Sequence, residues 1–278
     1  MPRFTLDEVR TQTYKAKDAW WTVFLVDPLA GRLVVGVANR TAITPNQITW
    51  GAFFLGLGSA AAFLMAEWPW LLVGAALYHL SFVLDCMDGK IARLKGTGTV
   101  LGGWLDYVFD RIRVLTCALA LMWGQFQASG EATYLVLGVV VVFLDMLRYV
   151  DALQVAKVRR QMRRQLDEAL GVTREQEQGD EQQEIDLQQN FRSRFGWYIL
   201  VRDWLRDHRI RAHLVSGIEF QMAVFIVGPV TGQIVAVTMA TAALLLLFEL
   251  AIMFKLWMSS RDFTRALARI RQAEKQLP

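Results

Sequence analysis

Sulfur, imidazole and proline are all scarce in this chain: its 278 residues include two cysteines, three histidines and six prolines. Cys86 and Cys117 sit in separate apolar stretches, so no disulfide framework is implied. Three histidines and two separated cysteines also make a poor ligand set for zinc. Residues Met1 to Arg10 lack the basic-then-apolar run and small-residue cleavage site of a secretory signal, which leaves targeting to the first spanning helix. There is no internal repeat. Polar surface is in short supply too, with 54% apolar and 20% charged residues and a mean hydropathy of +0.28. That balance excludes both a disordered chain and an ordinary polar-surfaced soluble domain.

Apolar length predicts an all-α membrane protein with six spanning helices: Ile48 to Ala66, Trp70 to Leu84, Gly103 to Trp123, Tyr134 to Leu147, Leu214 to Gly232 and Ile234 to Trp257. The second and fourth reach full length only if flanking polar residues extend them into the headgroups. Basic residues are missing from one set of loops: Glu67 to Pro69, Gly124 to Thr133 and Pro229 to Gln233 hold no Lys or Arg. The positive-inside rule then puts both termini in the cytoplasm. The formal charge of +4 therefore reflects membrane orientation, and no nucleic-acid partner is expected. Trp50, Trp68, Trp70, Trp104, Trp123 and Trp257 fall at or near segment ends, where indole rings prefer the interface.

Three parts lie outside these spans: an N-terminal arm (1–45), a polar insertion within the membrane domain (46–258), and a C-terminal tail (259–278). In the arm, Trp20 to Val26 is apolar but too short to span, and Asp27-Pro28 is expected to end it as an interfacial amphipathic helix. A polar cytoplasmic insertion, about residues 154–213, begins with the basic run Lys157 to Arg164 and continues through the Gln/Glu-rich Arg174 to Glu184 as a solvated helix or disordered loop. The tail spaces Phe263, Leu267 and Ile270 on one helical face among Arg261, Arg265, Arg269 and Arg271. It suits an anionic leaflet or a partner helix equally.

The chemistry concentrates in Asp85-x2-Asp88-Gly89-x2-Ala92-Arg93-x8-Gly102-x3-Asp106-x3-Asp110. The i, i+3 pair and the i, i+4 pair each put two carboxylates on one helical face, and the short link Lys90 to Leu101 lets the faces meet. Four carboxylates in a partly desolvated site need compensating cations, and all-oxygen ligation selects Mg²⁺ or Mn²⁺. Two pairs suggest two ions, an arrangement suited to phosphate chemistry. Gly89, Ala92 and Gly102 remove bulk where a nucleotide or a helix approaches, and Arg93 supplies positive charge to a phosphate. Solvated helix-end acids are the bland alternative. It suits Asp85 and Asp88 but not Asp106 and Asp110, which lie inside the third predicted span.

At all eight fixed positions the skeleton matches the signature of the CDP-alcohol phosphatidyltransferase family, a match of order ~10⁻¹⁰ by chance at one place. The Thr44 to Thr49 start of the first span also resembles that family, although the long insertion departs from it. The resemblance implies that Asp85, Asp88 and Asp106 bind two divalent ions holding the CDP diphosphate, with Asp110 close to metal and acting as general base. It implies that Asp88, Gly89, Ala92, Arg93 and Gly102 bind CDP, that CMP is released, and that the protein is a homodimer.

Arg113, Arg148 and Arg211, with Arg209 and His213, are candidates for an anionic acceptor pocket, although positive-inside anchoring explains each nearly as well. Glu219, Gln221 and Glu249 fit interhelical hydrogen bonding or a polar substrate contact, and His79 fits helix packing. The expected function is a membrane transferase of phospholipid synthesis with CDP-diacylglycerol as donor. A CDP-choline or CDP-ethanolamine type enzyme acting on diacylglycerol remains open. An intramembrane prenyltransferase is disfavoured by the acidic spacing, and a cation carrier gives no reason for Gly89, Ala92 and Arg93.

Overall fold

The computed structural model describes residues 4–169, 204–205, 207–211 and 215–274. Among them the secondary structure is helical, apart from one isolated bridge between Asp18 and Ile210. The elements are α1 (Leu6–Thr13), α2 (Thr22–Arg40), α3 (Pro45–Leu64), α4 (Trp68–Lys95), α5 (Val100–Ser129), α6 (Thr133–Ala169), α7 (Gly217–Thr231) and α8 (Ile234–Glu274). The chain forms two compact units, residues 1–146 with 202–245 and residues 147–201 with 246–278. The Gln/Glu-rich Arg174 to Glu184 and His213 lie outside the described residues. The basic run Lys157 to Arg164 is helical, within α6, and the predicted tail continues α8 without a break as far as Glu274.

Four helices are long and apolar enough to cross a bilayer: α2, α3, α4 and residues 234–270 of α8. The last three match predicted spans. A helix occupies each of the other three predicted positions, but α5 carries Asp106, Asp110, Arg111 and Arg113, α6 carries Asp145, Arg148 and Asp151, and α7 is short.

The expectation that Asp27-Pro28 ends the N-terminal apolar helix is corrected, because α2 runs through it to Arg40. Proline has no N–H for the carbonyl one turn back, and its ring crowds that turn. Here the preceding turn, Thr22–Val26, is widened to π geometry, with the Asp27 N–H donating to the Thr22 carbonyl. The same device precedes Pro229 in α7, where the Gly228 N–H donates to the Ala223 carbonyl. A π turn spaces the carbonyls so that proline is accommodated without ending the helix.

The first unit is built on α3, which packs against both α4 and α5. Thr44 caps α3 reciprocally with Gln47, and Pro45 starts it. Polar contacts to backbone then tie the helices: Ser59 Oγ donates to the Gly74 carbonyl (2.7 Å) and Ser81 Oγ to the Ala52 carbonyl (2.6 Å). Small residues permit this closeness. A Cβ on Gly124 of α5 would lie 2.8 Å from the backbone carbonyls of Phe63 and Leu64, which are not free to move. Gly124→Ala is therefore expected to destabilise the protein by about 1–3 kcal/mol. Gly51→Ala, where a Cβ meets nothing within 4 Å, should be neutral or stabilising by up to about 1 kcal/mol. Thermal unfolding of the two variants in the same detergent checks the contrast. The six interfacial tryptophans all face outward, between 43% and 58% exposed, as amphipathic rings at a membrane boundary require.

In the second unit Arg148 Nε lies 3.2 Å from Glu249 Oε1, with its guanidinium 5.5 Å from the Phe248 ring.

Candidate active site

A left-handed Gly96 (φ 62°) ends α4, and Thr99 caps α5 by accepting from the Gly102 N–H at 3.0 Å. Glycine takes that conformation without the strain a Cβ would bring. This tight reversal turns the acidic face of α4 toward that of α5. Asp85 lies close enough to Asp88, Asp106 and Asp110 for all three to act on it electrostatically, and Asp106 is within hydrogen-bonding reach of it. Asp88 likewise senses Asp106, and Asp106 senses Asp110. The two predicted pairs are thus one constellation.

Each acid is held. Thr49, near the start of α3, donates its hydroxyl to Asp88 Oδ2. Arg113 is 2% exposed and forks between the pairs, with Nη1 3.3 Å from Asp85 Oδ1 and Nη2 on Asp110 Oδ1. Its Nη1 also donates to Ser81 Oγ at 3.2 Å, and a Cβ on Gly56 would strike its stem at 2.7 Å. Arg111 donates to Asp110 Oδ2 with one arm and to Asp145 Oδ2 with the other. Arg113 therefore stands inside the acidic cluster as its internal counter-charge.

The remaining signature residues surround the turn. Gly89 has only the Arg93 guanidinium near its Cα, 3.6 Å from where a Cβ would be, so no protein packing fills that place. Ala92 is partly buried and Arg93 is exposed. A Cβ on Gly102 would approach Asn46 Oδ1 at 2.9 Å and Thr99 Oγ1 at 3.0 Å. That brings Asn46, at the start of α3, beside the site.

Carboxylate oxygens are the donors that Mg²⁺ and Mn²⁺ prefer. Asp85, Asp88, Asp106, Asp110 and Asp145 are offset by the two guanidiniums of Arg111 and Arg113, with the Lys15 ammonium also acting on Asp106. The excess negative charge suits divalent cations. Among the described residues no three acidic, histidine or cysteine side chains stand in a ready ligating arrangement, since Asp85 and Asp110 are turned onto Arg113 and Asp88 onto Thr49.

The three arginines expected in an acceptor pocket share no partner. Arg113 bridges Asp85 and Asp110, Arg148 pairs with Glu249, and Arg211 pairs with Asp18 at 3.3 Å. The Arg211 pair belongs to a clasp in which residues 209–211 run beside the N-terminal arm, with the Asp18 N–H on the Arg209 carbonyl (2.8 Å) and the Arg211 N–H on the Asp18 carbonyl (2.9 Å). Arg209 also reaches Asp27 (3.3 Å), which holds Lys90 of α4 at 3.0 Å.

Residues 42–170 match the family model described as CDP-alcohol phosphatidyltransferase. The chain carries a CDP-alcohol phosphatidyltransferase domain. The match takes in α3, α4, α5 and α6, and so all eight signature residues. Among curated relatives, the archaetidylinositol phosphate synthase of Methanothermobacter thermautotrophicus is 32% identical over 85 residues, 31% of this chain and 42% of that protein. The phosphatidylinositol phosphate synthase of Corynebacterium glutamicum is 34% identical over 88 residues, 32% of this chain and 37% of that protein. The enzyme of the same name from Mycobacterium tuberculosis is 27% identical over 136 residues, 46% of this chain and 60% of that protein. The likeness to each relative thus spans less than two thirds of its length. Within the matched residues, Thr49 and Asp145 are bonded into the acidic cluster, and sequence reasoning did not single them out. Asp145 carried a usable signal, since a carboxylate near one end of an apolar segment is expensive without a purpose.

Proposed function

We propose that the chain is a multi-pass membrane transferase that moves a phosphatidyl-type group from a CDP-linked lipid to an alcohol hydroxyl, releasing CMP. The observation that carries this reading is the convergence of Asp85, Asp88, Asp106 and Asp110 beside Gly89 and Arg93 within the matched domain. Asp85, Asp88, Asp106 and Asp110 would hold two Mg²⁺ or Mn²⁺ ions, which neutralise the diphosphate and ease departure of CMP. Asp110 takes the proton of the acceptor hydroxyl as its oxygen bonds to the phosphorus distal to cytidine, and the bond from that phosphorus to the CMP oxygen breaks with its electrons leaving on CMP. Asp110 releases one of its arginines to do so. Arg93 meets phosphate charge, and Gly89 leaves the backbone open to the nucleotide. The site is read as facing the cytoplasm, a reading supported by the loops without Lys or Arg at the other ends of the helices.

Full-length protein in nanodiscs, given CDP-diacylglycerol with Mg²⁺ or Mn²⁺ and a panel of inositol phosphate, glycerol phosphate and serine, should release CMP with one of them. Inositol phosphate heads the panel because the names of all three relatives above carry it. CDP-choline with diacylglycerol tests the reversed arrangement. No CMP from any combination overturns the reading. Thr49→Val, which removes the donor to Asp88 at equal volume, should raise the half-saturating Mn²⁺ concentration by about 3- to 10-fold, the range for losing an ordinary net hydrogen bond. Thr49→Ser should restore it. Unchanged Mn²⁺ titration of the valine variant would remove Thr49 from the site.

A further inference from the structure

Both oxygens of Asp110 are taken, each by a different arginine, and each arginine is held on its far side by a second acid. Arg113 is held by Asp85, which belongs to the signature. Arg111 is held by Asp145, which does not. Asp145 lies on α6 and is 3% exposed, in a segment otherwise apolar for more than two turns before it. Its second oxygen, Oδ1, accepts from Gln221 Nε2 of α7 at 2.8 Å. The Gln221 carbonyl oxygen accepts in turn from the hydroxyl of the fully buried Tyr78 of α4 at 3.2 Å.

A relay therefore runs Tyr78, Gln221, Asp145, Arg111, Asp110, drawing on α4, α7, α6 and α5 in turn. Every link is a hydrogen bond between side chains. An arginine adjacent to Asp110 on α5 has a long stem and many rotamers, and a second planar partner across the helix interface selects one of them. A buried acid needs such partners, because its desolvation is repaid only where both oxygens are satisfied. Gln221 and Arg111 satisfy one oxygen each.

We propose that Asp145 is a positioning residue for the transfer: it holds Arg111 against Asp110, so that the carboxylate meets the acceptor hydroxyl in one orientation. The inference rests on the role given to Asp110 above. Gln221 and Tyr78 act behind it by fixing Asp145.

The test uses full-length wild type, Asp145→Asn, Arg111→Gln and the double variant in nanodiscs, with CDP-diacylglycerol and the acceptor panel of inositol phosphate, glycerol phosphate and serine. Asp145→Asn should lower kcat for CMP release by roughly 10- to 100-fold, the loss that a misplaced reacting group brings. KM for CDP-diacylglycerol should stay within about 2-fold, since donor binding is not touched. In metal-free protein each single variant should lower the thermal midpoint and the double should recover it, because neutralising both partners leaves no buried unpaired charge. kcat should stay low in the double, which a purely structural ion pair would not predict. Unchanged kcat in Asp145→Asn, recovery of kcat in the double, or absence of thermal coupling overturns the inference. A wild type that releases no CMP overturns the functional reading and this inference with it, whereas an active wild type with unaffected variants overturns the inference alone.

Discussion

Asp110→Asn is expected to lower CMP release by about 10²- to 10⁴-fold, the contribution of a positioned general base, while CDP-donor binding changes little. The substitution is close to isosteric and keeps an acceptor oxygen toward the arginines. Arg113 retains Asp85 and Ser81, and Arg111 retains Asp145, so neither guanidinium is stranded and the packing of α5 against α3 should survive. The loss therefore reports proton transfer rather than collapse of the site. Equilibrium binding of a CDP-linked lipid and single-turnover CMP release separate the two quantities. If the variant releases CMP at the wild-type rate, Asp110 is not the base.

Asp88→Ala should have opposite effects on binding and on stability. Asp88 is 5% exposed; its side chain accepts from the neutral Thr49 hydroxyl, with like-charged Asp85 and Asp106 nearby and Arg113 only partly offsetting them. Removing it should weaken Mn²⁺ binding by about 100-fold or more, since loss of even an outer partner of a metal ligand costs 10- to 100-fold, and nucleotide affinity should fall with it. The same change relieves a buried, repelled carboxylate, and Thr49 keeps the Pro45 carbonyl at 3.1 Å. Metal-free thermal stability is accordingly expected to hold or rise, as it does where an active site stores unfavourable charge. Electron paramagnetic resonance titration of Mn²⁺ and metal-free unfolding check the two halves. Unaltered Mn²⁺ affinity would remove Asp88 from the ligand set, and a large fall in metal-free stability would show that its role is structural.

Much of this was legible in the amino-acid order because it is local. Apolar runs longer than a turn or two can hide only in lipid or a core, and α3, α4 and the first part of α8 follow directly. The eight-residue skeleton is legible for the same reason: i, i+3 and i, i+4 spacing fixes a helical face whatever the surroundings. The course of α2 through Asp27-Pro28 was not, because the π turn that admits Pro28 is a backbone adjustment with no residue signature of its own. Arg113 was legible as a candidate for an anionic acceptor pocket, whereas its place between Asp85 and Asp110 was not.

What the sequence determined by itself, then, is which residues share a face and which segments shun water, both consequences of helix period and hydration. Only the tertiary structure decided which faces meet. Ion-pair choice depends on distances across helix interfaces, and α5 offers Arg111 and Arg113 two acids each from three helices. No pattern along the chain ranks those options, because a buried charge settles on the partner whose placement best offsets the hydration it has lost.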